Sequence, residues 1–451
     1  MAEHKSFSSN IGAIMAAVGS AVGLGNIWRF PYICGQYGGG AFLLVYLIFV
    51  FCIGMVLMMC EFAIGRRTQS SPAKAFTTLY PKHKGWRTAG VIGIVACFFI
   101  VSQYSVVSGW TLNYFVDACT GTIAQLGLDS QAIDQHFDTF SSSMWKPIIF
   151  LAIFLGITTL VILGGVQKGI ERMSKILMPG LLILIIVLCI KSVSMPGAAK
   201  GLQYLFQPDF SKLTADGVLA ALGQALFSLS VGMGVMIVYG SYIPQKDNLF
   251  RTSLWITASD TLIAILAGIA IFPAVFSCGY EPTEGPGLVF IVLPEVFNTM
   301  DGFMGTLFAS LFFLLLFIAA LTSSISLLEG LTAWFTDSSK QSRIRCILKS
   351  AIATALFAIA ISLSNGIWKG YTLFGNTLFD LIDKLNSIYL LPICALLTVI
   401  FAAWVIPDAT MRDELSNHGT LKIGYYRMFR FVARYIAPIA LVTILVCSII
   451  Q

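Results

Sequence analysis

Long apolar windows recur along this chain of 451 residues and leave few folds open to it. Each window holds about 20 mostly apolar residues, which is the length an α-helix needs to cross a lipid bilayer. Hydrophobic residues make up 57% of the chain and charged residues 11%, which excludes an ordinary soluble globular protein. The sequence therefore predicts an all-α polytopic membrane protein with eleven transmembrane helices. The predicted windows lie near residues 11–34, 41–64, 88–118, 145–164, 168–190, 216–242, 252–277, 303–335, 345–364, 373–405 and 427–450.

The distribution of basic residues predicts how the chain sits in the membrane. With a cytoplasmic N-terminus, about 21 of the 28 Lys and Arg lie on the inner side of this map and about seven on the outer side. Cytoplasmic loops are enriched in Lys and Arg, so we expect a plasma-membrane protein with its N-terminus inside and, after eleven helices, its C-terminus outside. The net charge of +6 follows from this bias and requires no nucleic-acid partner.

The loops are short and contain no low-complexity linker, which indicates a single membrane domain over residues 1–451. The ten cysteines lie mostly inside apolar windows and the four histidines are scattered, so neither a disulfide framework nor a His/Cys metal site is predicted. No phosphate-binding loop or recognisable pair of nucleophile and base occurs in the sequence. We therefore do not expect an enzyme.

The first window is interrupted by small and polar residues between Gly19 and Asn26, with glycines also at 23 and 25. A helix broken in mid-membrane exposes backbone groups that lipid cannot satisfy, so the break must line a cavity enclosed by protein. Unwound carbonyl groups suit a cation, and free amides at the start of a half-helix suit a carboxylate. This window predicts a midplane site for a cation together with an anionic group.

The sixth window is interrupted in the same way over residues 227–234, in Phe-Ser-Leu-Ser-Val-Gly-Met-Gly. Two interrupted helices at corresponding positions of two five-helix halves are typical of a transporter built from inverted repeats. We therefore expect helices 1 and 6 to be unwound at mid-membrane. Repeat one would cover residues 11–190 and repeat two residues 216–405, with an additional helix at 427–450.

Polar residues inside other windows are candidates for function, and each has a structural alternative. Glu61 would either be functional or, as we favour, accept hydrogen bonds from a broken helix. Tyr104 would bond a neighbouring carbonyl or a substrate carboxylate. Asp260 has no basic residue in its own window and therefore requires a cation or a proton. The hydroxyls of residues 322–324 would bind a hard cation or return to a carbonyl one turn earlier.

Residues 19–31, 228–234 and 322–324 together resemble the neurotransmitter:sodium symporter family, and the similarity covers nearly the whole chain. The chain looks like a bacterial member. Its eleven predicted helices depart from the twelve of animal members, whose last helix is missing here. The resemblance implies sodium-coupled import of hydrophobic and aromatic L-amino acids, tryptophan among them, by alternating access. An amino-acid sensor on the same fold, without transport, is the alternative. A monomer would suffice, and the oligomeric state is left open.

The resemblance also implies individual site residues. Ligands of a first sodium ion would be the substrate carboxylate with Ala21, Asn26, Ser228 and Asp260. Ligands of a second ion would be Gly19, Val22, Ala320, Ser323 and Ser324. Substrate contacts would come from Gly23, Leu24, Gly25, Ile100, Tyr104, Val107, Phe227, Ser228, Ser230, Met233, Ser323, Ser324 and Leu327.

Two positions refine these expectations. Monoamine carriers of the family have Asp where this chain has Gly23, so the resemblance implies a substrate with its own carboxylate. Animal members have Asn where this chain has Asp260, and they need chloride nearby, so it implies chloride-independent transport.

The gates are implied in the same way. The outer gate would pair Arg29 with Asp383, with Phe227 closing over Tyr104. The inner gate would combine residues from the N-terminus, helix 6 and helix 8. These are Asp337, Tyr242 and a basic partner, Lys5 or His4.

Overall fold

A computed structural model of the chain describes residues 6–280, 288–339 and 341–450. Within these ranges every regular element is helical, and β-pairing is limited to two isolated bridges. The helices are α1 (Asn10–Ala21), α2 (Gly25–Gln36), α3 (Gly40–Thr68), α4 (Pro72–Leu79), α5 (Lys84–Cys119), α6 (Thr122–Gln125), α7 (Ser130–Ser142), α8 (Lys146–Leu163), α9 (Val166–Val193), α10 (Ala198–Phe206), α11 (Ala215–Ser228), α12 (Val235–Tyr242), α13 (Leu249–Ser277), α14 (Leu288–Asn298), α15 (Gly302–Ser338), α16 (Arg343–Asn365), α17 (Leu378–Val405), α18 (Asp408–Leu415) and α19 (Tyr426–Ser448).

Nine of these helices are long and apolar enough to cross a membrane within the described ranges: α3, α5, α8, α9, α13, α15, α16, α17 and α19. Helices α1 and α2 meet at an angle of 47° and together form a tenth, broken span. The sixth predicted window is divided between α11 and α12, of 14 and 8 residues, and each is too short to cross alone. The all-α membrane fold is confirmed, while the count of eleven spans stays a prediction.

The helix boundaries agree with the predicted windows to within a few residues, with one clear exception. The tenth window was expected to begin at residue 373, but α17 begins at Leu378. Its start is fixed by Thr377, whose side-chain oxygen accepts a hydrogen bond from the backbone N–H of Asp380 at 3.2 Å. Thr377 therefore acts as an N-cap, and the apolar residues before it belong to the preceding turn.

The two broken pairs lie at the centre of the helix bundle. Helix α1 packs against α9, α13 and α15, and α12 packs against α3. All of α12 is buried, and so is the second half of α1, from residue 16 to residue 21. Large apolar side chains are instead exposed on the outer helices, for example Leu160 on α8, Ile183 on α9 and Leu356 on α16. Exposed apolar surface on outer helices is what a bundle surrounded by lipid requires.

Local backbone conformation accounts for both breaks. After α1 the backbone turns extended at Val22, with φ −72° and ψ 110°. After α11, Ser230 and the glycines at 232 and 234 all have positive φ, between 52° and 80°. Such values cannot continue a right-handed helix, and they are strained for a residue with a side chain. Ser230 is therefore held in this conformation by its surroundings.

Candidate functional site

The two helix breaks face each other and are joined by hydrogen bonds. The Ser230 hydroxyl donates to the backbone carbonyl of Ser20 at 3.0 Å, from one break to the other. The Gln224 amide donates to the carbonyl of Gly25 at 2.7 Å. The Ser20 carbonyl in the last turn of α1 thereby gains a side-chain donor, and the Gly25 carbonyl gains one beside its helical bond to the Phe30 N–H.

Glu61 supports the second break from α3. It is fully buried, and its carboxylate accepts a hydrogen bond from the backbone N–H of Gly232 at 2.7 Å. Gly232 lies in the left-handed turn between α11 and α12. The structure thus agrees with the favoured reading of Glu61, a structural acceptor for a broken helix.

Asp260 on α13 is the centre of a buried polar cluster at the first break. Its carboxylate accepts hydrogen bonds from the Asn26 amide at 2.8 Å and from the Ser228 hydroxyl at 2.8 Å. The hydroxyl of Tyr46 on α3 reaches both Ser228, at 3.3 Å, and Asp260, at 3.4 Å. Within the described residues no Lys, Arg or His lies within 4 Å of this carboxylate. A buried carboxylate with neutral donors alone suits a small hard cation.

Three of the four protein ligands expected for the first sodium ion, Asn26, Ser228 and Asp260, thus come together in one cluster. The fourth, Ala21, lines the neighbouring cavity. Tyr46 was not expected, because a lone tyrosine in an apolar window gives no sign of which helix its hydroxyl will face.

A second group of oxygens lies where the end of α1 meets α15. The Ser323 hydroxyl lies 3.4 Å from the carbonyl of Gly19 and 3.1 Å from that of Val22. The Thr322 hydroxyl lies 3.5 Å from the carbonyl of Val22 and 3.0 Å from that of Ala319. Carbonyl and hydroxyl oxygens without a charged donor again form a set that fits a hard cation.

This second group differs by one residue from the set expected for the second sodium ion. Expected were Ala320, Ser323 and Ser324, whereas the hydroxyls that face carbonyls of residues 19–22 belong to Thr322 and Ser323. The Thr322 hydroxyl also returns to the carbonyls of Ile318 and Ala319 one turn earlier in α15, as the structural alternative expected. The Ser324 hydroxyl is buried with no hydrogen-bond partner among the described residues. Positions i, i+3 and i+4 share a helix face in either register, so spacing alone could not decide between them.

A narrow cavity of about 20 Å³ lies between the two oxygen groups. That is room for about one water molecule, so the lining side chains would have to separate to admit an amino acid. Most residues expected to contact substrate line it, whereas Leu24, Val107, Ser228 and Ser324 do not. The lining residues are Ser20, Ala21, Gly23, Gly25, Ile100, Tyr104, Phe227, Ser230, Met233, Ser323 and Leu327.

Tyr104 connects this cavity to the first break. Its hydroxyl accepts a hydrogen bond from the backbone N–H of Leu24 at 2.7 Å, which neither sequence alternative included. A side chain at Gly23 would collide with the hydroxyls of Tyr104 and Ser323. Gly23 therefore keeps space open between two hydroxyl groups and the backbone N–H groups that begin α2.

At one end of the cavity Arg29 lies above Phe227. The guanidinium carbon is 4.6 Å from the centre of the Phe227 ring, and Nη2 donates to the Ser387 hydroxyl at 3.0 Å. Asp383 precedes Ser387 by one helical turn on α17. Within the described chain no ion pair of 4 Å or less joins Arg29 to Asp383, so this pair stays a prediction.

At the opposite end, the residues expected in the inner gate make other contacts. The Tyr242 hydroxyl donates to Glu329 at 2.7 Å, and Arg343 pairs with the same carboxylate at 2.7 Å. Asp337 accepts a hydrogen bond from the backbone N–H of Ser71 at 2.6 Å. The proposed basic partners Lys5 and His4 lie outside the described residues.

Comparison with known proteins identifies the family. The family described as "Sodium:neurotransmitter symporter family" matches residues 4–127 and 129–451. The chain belongs to the sodium:neurotransmitter symporter family. It is therefore a multi-pass membrane protein of a sodium-coupled transporter family, a class without enzymatic activity.

Individual relatives agree with this assignment. A Bacillus subtilis protein named "Uncharacterized sodium-dependent transporter YhdH" is 39% identical over 449 residues, covering 98% of each chain. A sodium-dependent transporter of Haemophilus influenzae is 33% identical, covering 99% of this chain and 98% of its own. The crystal structure of MhsT in complex with L-phenylalanine superposes with a TM-score of 0.91 at 39% identity, covering 98% of this chain and 99% of MhsT.

Proposed function

We propose that this symporter imports hydrophobic and aromatic L-amino acids together with two sodium ions, by alternating access and without chloride. The observation that carries the proposal is the position of the Asp260 cluster. Its members Asn26 and Ser228 directly follow Gly25 and Phe227, which line the cavity at the break where the Leu24 N–H and the Tyr104 hydroxyl meet. A cation and a carboxylate bound there would lie side by side.

The substrate carboxylate would be recognised at the start of α2. The backbone N–H groups of Leu24 and Gly25 and the Tyr104 hydroxyl are the donors there, and the half-helix dipole favours a negative group. The substrate ammonium would face backbone carbonyls near Phe227 and Ser230, at the second break. The sodium ion at Asp260, Asn26 and Ser228 would complete its coordination with the substrate carboxylate.

The substrate side chain would lie against the apolar part of the cavity. Ile100, Phe227, Met233 and Leu327 supply this wall. Methionine is flexible and phenylalanine can rotate, so the wall can adapt to aliphatic and aromatic side chains. MhsT, with a similar fold, is known in complex with L-phenylalanine, which supports this substrate class.

For the second sodium ion we propose the register that the contacts favour. Its ligands would be the carbonyls of Gly19, Val22 and Ala319 with the hydroxyls of Thr322 and Ser323. This ion would tie α1 to α15 next to the cavity. Its departure would free the two helices to separate.

Alternating access would use the contacts at either end of the cavity. On the outer side Arg29, Phe227 and Ser387 would separate to admit substrate, with Asp383 as a further partner. On the inner side the N-terminal segment would leave α12, where Phe7 packs on Tyr242 with ring centres 5.9 Å apart.

With the N-terminus cytoplasmic, sodium would move down its gradient, aided by about 2.3 kcal/mol per charge per 100 mV of membrane potential.

The deciding experiment tests binding to the purified full chain with a panel of twenty amino acids, in sodium and in choline buffer. We expect binding of hydrophobic and aromatic members in sodium and a large loss in choline. Equal affinity in both buffers would overturn the coupling. Proteoliposomes with an imposed sodium gradient then separate a transporter from a sensor, because a sensor binds the amino acid and accumulates none.

A further inference from the structure

A second cavity lies at the surface of the bundle, between the start of α5 and the middle of α17. It measures about 320 Å³. We name it the α5–α17 pocket and define it by its lining residues, which are His83, Gly85, Trp86, Thr88, Ala89 and Leu397. None of them lines the central cavity.

The α5–α17 pocket is polar at one end and apolar at the other. His83 and Thr88 lie beside the loop that precedes α5, whereas Leu397 lies eight residues before the end of α17 at Val405. At 1.5 Å per residue, Leu397 lies about 12 Å along the helix axis from that end, within the apolar part of the span. The Trp86 ring packs on Phe401 with ring centres 5.1 Å apart. Tryptophan at such a boundary is typical of the membrane interface.

Three cations alternate in sequence with the residues that line the polar end. Lys82, Lys84 and Arg87 are exposed, and within the described residues none of them has a carboxylate within 4 Å. The sequence contains no Asp or Glu between Glu61 and Asp117. No carboxylate of the described residues therefore pairs with this positive charge.

Two arginines in the last turn of α3 show the contrast. Arg66 is buried and pairs with Glu414, and Arg67 pairs with Asp413 at 3.0 Å. These two cations serve the packing of α3 against α18. Lys82, Lys84 and Arg87 have no such ion-pair partner in the part of the chain that the structure describes.

We propose that the α5–α17 pocket binds one anionic phospholipid of the cytoplasmic leaflet. Its phosphodiester lies among Lys82, Lys84 and Arg87, and one acyl chain follows the apolar wall past Ala89 towards Leu397. Basic pockets between membrane helices on the cytoplasmic side are suited to anionic headgroups, and an amphipathic groove selects a lipid over a soluble anion. The inference rests on the cytoplasmic placement of this loop in the proposed topology, and it does not depend on the amino-acid substrate.

The test measures lipid retained by the purified, delipidated full chain in native mass spectrometry. Phosphatidylglycerol is added, with phosphatidylcholine and inorganic phosphate as comparison arms. The double variant Lys84→Gln/Arg87→Gln removes two cations at the pocket. Its matched control, Arg345→Gln/Lys349→Gln, removes two exposed cations from the start of α16. A third variant, Gly85→Leu, fills the pocket without changing charge, because a Cβ there meets no atom within 4 Å.

We expect wild type and the control to retain one phosphatidylglycerol, and phosphatidylcholine to bind weakly. Each cation near an anionic lipid adds about fivefold to affinity, so the pocket double variant should bind about thirtyfold more weakly. Gly85→Leu should also lose the lipid. If both double variants lost phosphatidylglycerol equally, or if Gly85→Leu retained it, the lipid would be held by general surface charge and not by the pocket. If inorganic phosphate at equal concentration displaced phosphatidylglycerol, the pocket would be a site for a soluble anion and not for a lipid. Monodispersity on size exclusion checks folding without reference to transport.

Discussion

The Asp260 carboxylate accepts hydrogen bonds from neutral donors, and its negative charge bears on whether transport requires chloride. Two sodium ions and a zwitterionic substrate would bring two positive charges into a site of low dielectric, and the carboxylate would offset one of them. We expect replacement of chloride by gluconate to leave sodium-dependent uptake in proteoliposomes almost unchanged. A large drop would show that a mobile anion supplies the missing negative charge.

The matching substitution is Asp260→Asn, which keeps the shape of the side chain. Opposite unit charges 4 Å apart interact by about 4 kcal/mol at an effective dielectric of 20. Losing part of this attraction between the carboxylate and sodium should reduce sodium-dependent uptake in chloride-free buffer by more than tenfold. Asp209→Asn, in the exposed loop after α10, is the control and should leave uptake as it is. Equal uptake by the two variants would remove Asp260 from the ion site.

Gly23 supports a second prediction at this scale. A methyl group there would collide with the hydroxyls of Tyr104 and Ser323. Overpacking of this kind costs about 1–3 kcal/mol, so Gly23→Ala should weaken amino-acid binding by about tenfold or more. Gly223→Ala on α11 is the matched control, because its Cβ meets nothing within 4 Å. Direct amino-acid binding assays on both variants check this. An unchanged affinity in Gly23→Ala would mean that the substrate carboxylate binds elsewhere.

The register of the second ion site gives a third prediction. Thr322→Val removes one hydroxyl and keeps the side-chain shape, while Ser324→Ala removes a hydroxyl that has no partner in the described residues. We expect Thr322→Val to raise the sodium concentration needed for half-maximal substrate binding several-fold, and Ser324→Ala to change it little. Sodium titration at fixed substrate measures both. The opposite ranking would restore the set read from the sequence.

At the level of elements, a buried ion pair connects α15 to the start of α16. Glu329 is fully buried, and it is held by Arg343 and by the Tyr242 hydroxyl of α12. Removing one partner of a buried pair leaves an unpaired charge and typically costs about 3–5 kcal/mol. Arg343→Gln should therefore lower the thermal unfolding temperature in detergent.

The double variant Glu329→Gln/Arg343→Gln provides the control for this fourth prediction. With both charges gone, most of the loss should be recovered. Wild type, the single variants Arg343→Gln and Glu329→Gln, and the double variant together form a double-mutant cycle. Additive losses in the cycle would mean that the two side chains act independently. Differential scanning fluorimetry on wild type and the three variants decides between these outcomes.

The elements also show what local sequence information can and cannot predict. Apolar windows and the glycines at 19 and 232 predicted the spans and both breaks, because hydropathy and backbone freedom are local properties. The contacts of Tyr46, Ser387 and Glu329 were missed. Each depends on which helix faces which, and Arg29 and Ser387, for example, lie 358 residues apart in the chain. Tertiary pairing of this kind leaves no trace in a single window.

For the molecule as a whole, the central feature is that the two helix breaks, α15 and the cavity are linked through the same few side chains. Ser323 contacts the carbonyls of α1 and also lines the cavity, while Ser230 joins the second break to the first. Any motion that separates these elements changes both oxygen groups and the cavity at once. Such a shared boundary is a physical basis for coupling between ions and substrate.

The proposed contact between the first sodium ion and the substrate carboxylate would couple their binding, and any such coupling is reciprocal. Sodium and phenylalanine should raise each other's affinity by the same factor, and couplings of this kind are typically about 5- to 150-fold. Equilibrium binding of phenylalanine at low and high sodium, and of sodium with and without phenylalanine, measures both factors. Phenethylamine, which lacks the carboxylate, is the matched control ligand and should gain much less from sodium. If phenethylamine gained as much as phenylalanine, the coupling would act through helix movement, and the ion and the carboxylate would not touch.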